Sequence, residues 1–148
     1  MKRILLTQGQ FAVVDAINYE WLSQHKWCAW WNKGTQSYYA VRGNSKDGKK
    51  YMIYMHREIL GLVKGDKRYS DHINHRTLDN RESNLRIVTH QQNHFNQKNP
   101  KGYTWHKHAK KYMSQICMNG KMINLGYFNN AKEAHVAYLE AKKKYHKI

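Results

Sequence analysis

Between Ser70 and Asn93 the chain sets an acid beside an imidazole, Asp71-His72, and follows them with an amide at Asn84 and another at Asn93. An imidazole titrates near about 6.5, so at neutral pH it keeps an uncharged fraction that can take a proton from water. A carboxylate and an amide oxygen are hard donors suited to Mg²⁺ or Mn²⁺. Hydrolysing a phosphodiester needs a deprotonated water in line with the leaving oxygen and a cation against the charge gathering on the phosphate; one imidazole and one metal supply both.

The elements that must position these groups are short. Arg68 to Ile73 reads as one strand, Leu85 to Val88 is β-branched enough for a second, and Thr89 with Gln92 three residues on is a capping box opening a short helix. Neighbouring strand residues face opposite sides, so Asp71 and His72 can share a site only where the strand ends or twists. A plainer alternative stands beside this one. Asn and Asp favour turns and caps, ten histidines are scattered along the chain, and each residue alone fits a structural role. His90 and His94, four apart on one helix face, could also bind zinc, but that needs partners that no cysteine pair offers.

Taken together, Ser70-Asp71-His72-Ile73-Asn74-His75, Asn84-Leu85-Arg86-Ile87-Val88-Thr89 and Asn93 resemble the HNH nuclease motif, in the His-Asn-Asn form of phage and intron-borne homing endonucleases. The resemblance implies a ββα-metal unit. In it Asp71 is a metal ligand, His72 the general base, Asn84 a structural amide supporting the catalytic His, and Asn93 the second metal ligand. Asn rather than His at the last position implies one Mg²⁺ or Mn²⁺, and no structural zinc is expected. In the loop between the strands, Arg76 or Arg81 could grip the DNA backbone beside the scissile phosphate, or the loop could simply be solvated.

Composition points the same way. A net charge of +16 over 148 residues implies a polyanionic partner, nucleic acid first. No apolar run approaches the roughly 20 residues of a spanning helix and no signal peptide opens the chain, so an intracellular, non-secreted protein without a membrane partner is expected. Cys28 and Cys117 lie too far apart for a local zinc framework. With a mean hydropathy of −0.93 and an apolar content rich in Tyr and Trp, several small modules are expected rather than one large core.

The expected fold class is α+β in three modules: residues 1–54, 55–97 and 98–148. In the first, Met1 to Leu6 and Phe11 to Val14 read as strands, Ser37 to Arg42 as a third, Gly43 to Lys50 as a hairpin loop around Asp47-Gly48, and Lys50 to Met55 as its return strand. Trp21, Trp27 and Trp30 are expected in its core, with base stacking as the weaker alternative. Met55-His56-Arg57-Glu58-Ile59-Leu60 reads as a short helix stopped by Gly61 or Gly65, and resembles the leader that precedes HNH modules in phage proteins. His56 and Arg57 could approach a phosphate; His56 could equally be a packed residue.

Gln97-Lys98-Asn99-Pro100 reads as a linker. The last 51 residues carry eleven Lys against two Glu, or +9 of the total charge. Strands are expected over Lys101–Trp105, Lys111–Met118 and Lys121–Leu125, with a type I′ turn at Asn119-Gly120 and a turn over Gly126–Asn129. A helix capped by Asn130 follows, its end thickened by Lys142, Lys143, Lys144 and Lys147. Alternation assigns Tyr103, Trp105, Tyr112, Ile116, Ile123 and Leu125 to the helix side, and Thr104, His106, Met113, Gln115, Cys117, Met122 and Asn124 to the outer side. Tyr-Met-Ser-Gln-Ile followed by Leu-Gly-Tyr-Phe-Asn-Asn-Ala-Lys-Glu-Ala resembles the AP2 DNA-binding domain, which implies a sheet laid into the major groove. Thr104, His106, Gln115 and Asn124 would then meet base edges, and Lys101, Lys107, Lys110, Lys111 and Lys121 phosphates.

The expected function is a divalent-metal-dependent endonuclease on double-stranded DNA, a monomer or weak dimer that nicks one strand at a time. The alternatives are a non-catalytic DNA-binding regulator and an RNA-binding protein.

Overall fold

The computed structural model describes residues 1–96 and 100–145, apart from the side chains of Lys46 and His94. Residues 97–99 of the expected linker and the expected basic Lys147 lie outside them. The chain is α+β, with four small antiparallel sheets and four α-helices among the described residues. It divides into two compact units, Met1–Thr89 and His90–Ile148. Among the described residues no helix is long and apolar enough to cross a membrane.

The first unit opens with a hairpin of β1 (Lys2–Leu5) and β2 (Phe11–Val14), which buries Ile4, Ala12 and Val14. Helix α1 (Ala16–Ser23) lays Leu22 on it. A meander follows: β3 (Cys28–Asn32), β4 (Ser37–Lys46) and β5 (Lys49–Tyr54). Trp27 is core, its indole N–H donating to the Leu22 carbonyl at 2.8 Å, and Trp21 packs at the edge. Trp30 is a correction: it is 36% exposed, because β3 alternation turns Ala29 inward instead. The loop expected at Gly43–Lys50 is also corrected. Strand pairing runs through Ser45↔Lys50 and Lys46↔Lys49, leaving only Asp47 and Gly48 at φ +52° and +71° as the turn.

Met55 enters the same core from α2 (Met55–Ile59), whose chain leaves through Gly61 at φ +65°. Then β6 (Tyr69–His72) pairs with β7 (Leu85–Val88). The loop joining them is packed, not merely solvated. Val13 donates to the Leu78 carbonyl and Asn80 donates to the Val13 carbonyl, both at 2.8 Å. The Thr77 hydroxyl donates to the Tyr38 carbonyl at 2.6 Å, and Asp15 accepts from the Glu82 N–H at 2.8 Å.

The second unit begins with α3 (His90–Phe95), tied by the Gln91 amide to Asn119 at 3.3 Å. Its sheet has the order β10-β9-β8, from β8 (Tyr103–His106), β9 (Lys111–Met118) and β10 (Lys121–Phe128). Helix α4 (Ala131–Tyr145) starts at Asn130, whose side chain accepts from the Glu133 N–H at 2.9 Å; it buries Ala134 and packs Tyr138 and Ala141 with Ile116 and Leu125. The turn expected at Gly126–Asn129 is corrected. A bulge between Asn124 and Gly126 lets β10 run on to Phe128. One helix does not cover the whole inner face, so Trp105 and Ile123, expected beneath it, are 51% and 37% exposed.

Candidate functional site

His72 is the last residue of β6, opposite Leu85, and Asp71 stands opposite Arg86. The strand therefore ends where the acid and the imidazole must diverge. His72 is 6% exposed, and its Nε2 lies 3.2 Å from the Asn80 Oδ1. Its ring sits 4.9 Å from that of His56, which Tyr39 and Tyr54 flank with ring centres 5.8 and 5.5 Å away, and Tyr39 also stands 6.2 Å from His72. His56 is thus a packed residue, at 7% exposure. Burial lowers the pKa of His72, and burial first, then His72 and Arg57, hold His56 down at about 3. Both rings are neutral at pH 7, so His72 retains a lone pair.

Asp71 accepts from Arg86 Nε at 2.9 Å and Nη2 at 2.7 Å, both on Oδ2. Asn84 is buried and organises the loop. Its amide donates to the Asp79 carbonyl at 2.8 Å, and its oxygen accepts from the Asn74 N–H at 2.9 Å. Asp79 in turn takes the Arg81 fork at 2.7 Å and the Asn74 amide at 2.9 Å. Arg81 first, against some opposing burial, holds the Asp79 carboxyl down at about 2.

The expected phosphate-binding arginines differ in their commitments. Arg57 donates to the Asp66 and Arg68 carbonyls, both at 3.1 Å, and Arg81 is spent on Asp79. Arg76 is exposed on the same loop. Asn93 lies on α3, in the second unit. His90 is on the same helix; the His94 side chain is outside the described residues.

For a divalent cation, the donor chemistry of Asp71 fits, while its Oδ2 is engaged by the Arg86 guanidinium. Among the described residues no group of three or more His, Cys, Asp or Glu side chains is arranged to hold a metal ion.

In the second unit, register puts Thr104, His106, Lys111, Met113, Gln115, Cys117, Met122 and Asn124 on one sheet face, joined by Tyr127. His106 Nδ1 accepts from the Ala109 N–H at 3.1 Å, so its other nitrogen carries the hydrogen and can donate outward. Tyr127 stands edge-on to it at 5.3 Å. Asn124 spends its oxygen on the Gly126 N–H at 2.9 Å, which leaves its amide hydrogens. Lys121 pairs with Met118 on the other face, while Lys101 precedes β8 and Lys107 and Lys110 sit in the turn after it. Sequence reasoning missed Asn80, Arg86 and Tyr127. Only the polar run around Asn80 gave any signal.

No family model, curated protein or solved structure matches the chain.

Proposed function

We propose that this chain is a divalent-metal-dependent DNA endonuclease of the HNH type. The observation that carries it is His72: a buried, neutral imidazole held at a strand end beside a carboxylate, with one nitrogen fixed by Asn80. A neutral ring held in one orientation is what a general base needs. His72 takes the proton from the attacking water. Asn84 keeps the loop that carries Asn80 in register with β6. Asp71 would hold the cation. That ion, when bound, would neutralise charge on the scissile phosphate. The second unit, read as an AP2-like sheet, anchors duplex DNA through Thr104, His106, Gln115 and Asn124 and the lysines around them. One such site cuts one strand, so a monomer nicks.

A second reading, a DNA-binding protein without catalysis, is favoured by the Arg86–Asp71 ion pair, in which a guanidinium already neutralises the proposed metal ligand. Supercoiled plasmid with Mg²⁺ or Mn²⁺, against EDTA, separates the two. The nuclease gives metal-dependent open circles that fall at least about 100-fold in His72→Ala and Asp71→Ala. A pure binder shifts the plasmid on a gel in all three proteins and opens none.

A further inference from the structure

Asn80 is 0% exposed, and its side chain is the one place among the described residues where a buried polar atom, Nδ2, has no hydrogen-bond partner. A buried N–H without an acceptor costs stability, so its persistence calls for a reason. Packing does not supply one. The tie to the first hairpin is made by the Asn80 backbone, through its N–H to the Val13 carbonyl at 2.8 Å, and would survive any side chain of similar size. What the side chain itself does is place Oδ1 3.2 Å from His72 Nε2.

We infer that Asn80 is the positioning residue for His72: its oxygen accepts the Nε2–H of the neutral ring and so makes Nδ1 the atom that takes the proton. This rests on the nuclease reading for the use of that proton, but not for the hydrogen bond. An oxygen can only accept, so a ring nitrogen bonded to it must carry hydrogen, and a neutral imidazole has just one. Its lone pair is then on the other nitrogen. Were the amide reversed, its NH₂ would donate to Nε2, the hydrogen would move to Nδ1 and the base would be lost at that atom. The orientation present keeps Oδ1 on the ring and leaves Nδ2 unsatisfied, the arrangement that puts the ring hydrogen on Nε2. Anchoring at Val13 fixes the height of Asn80 against the ring, the role that outer hydrogen bonds play for catalytic and metal-bound histidines generally.

The test is a long-range ¹H–¹⁵N correlation spectrum of the full chain, without metal or DNA, at a pH where the histidines are neutral. His72→Gln identifies the His72 signals among the ten histidines. The native ring should show a protonated Nε2 and an unprotonated Nδ1. Asn80→Asp keeps the acceptor and removes the orphan donor, and should keep that pattern; Asn80→Leu should give a mixture of tautomers. Nicking of plasmid with Mg²⁺ should then fall roughly 10- to 100-fold in kcat in Asn80→Leu with KM little changed, and recover most of the loss in Asn80→Asp. A native ring protonated at Nδ1, or an Asn80→Leu spectrum identical to native, overturns the inference. If Asn80→Leu does not fold, the native spectrum decides alone. If the tautomers follow Asn80 and no protein nicks DNA, the positioning role stands and the nuclease reading falls.

Discussion

Two imidazoles packed 4.9 Å apart and largely buried beside Tyr39 and Tyr54 leave little water to solvate a charge, and the cost falls hardest on His56. In the unfolded chain His56 takes its proton near 6.5; in the folded protein burial, then His72 and Arg57, delay that to about 3. Across this window the unfolded state binds more protons, so stability is intact above about 6.5 and drains away as the pH falls toward about 3. The loss should reach a few kcal/mol, at roughly 1.4 kcal/mol per pH unit for one proton. Urea unfolding of the native chain and His56→Leu at a series of pH values checks it. The variant should lose stability less steeply by close to one proton, and parallel curves would show that His56 charges without penalty. The candidate site was only half legible at this scale. Asp71, His72 and Asn84 announce themselves by type and spacing, whereas Asn80 depends on a backbone bond to Val13 and Arg86 on cross-strand register, and neither is visible in a run of residues.

At the scale of elements, the second unit turns on Gly102, at φ +69°, over which the Tyr138 ring of α4 lies so closely that an added Cβ would overlap it. The Gly102 carbonyl also accepts from the Gln115 N–H at 3.2 Å, so the residue cannot simply retreat from the sheet. Gly102→Ala therefore has to displace a buried Tyr as well as strain the backbone, and should cost at least about 2–3 kcal/mol. Gly120→Ala is the control: its φ is +74° but nothing lies within 4 Å, so only the left-handed penalty of about 1 kcal/mol applies. Thermal melts of the two variants rank them, and equal losses would remove the packing argument. Strands and helices were largely readable because apolar period and turn residues agree in most of them. They failed where one residue type has two meanings. Gly43, Asn44 and Ser45 suggest a loop, but the Asp47-Gly48 turn sets the register and draws them into β4. Gly126 suggests a turn, yet it follows a bulge and pairs with Ser114. Trp105 alternates correctly and stays half exposed, since alternation gives the side of a sheet and not the reach of the helix that covers it.

The whole molecule is defined by its charge, and charge alone would bind any polyanion in any orientation. A net +16, with eleven lysines against two acids in the last 51 residues, predicts affinity that falls steeply with salt, the slope of log K on log salt being about −0.9 per phosphate neutralised. What distinguishes an oriented sheet from a diffuse basic surface is which lysines carry that slope. Lys111 shares the face of His106, Gln115 and Tyr127, and Lys107 sits in the adjoining turn. Lys143 and Lys144 are equally charged and exposed but lie near the end of α4. If the outer face meets duplex DNA, Lys107→Gln with Lys111→Gln should flatten the slope by close to ~2, and Lys143→Gln with Lys144→Gln by well under ~1. Equal flattening in a salt series on one duplex would mean that no face is preferred. A structured RNA run beside the duplex reads the same variants on an A-form helix, whose deep, narrow major groove excludes side chains. Only an oriented sheet gives the unequal pair of slopes on DNA and loses the inequality on RNA.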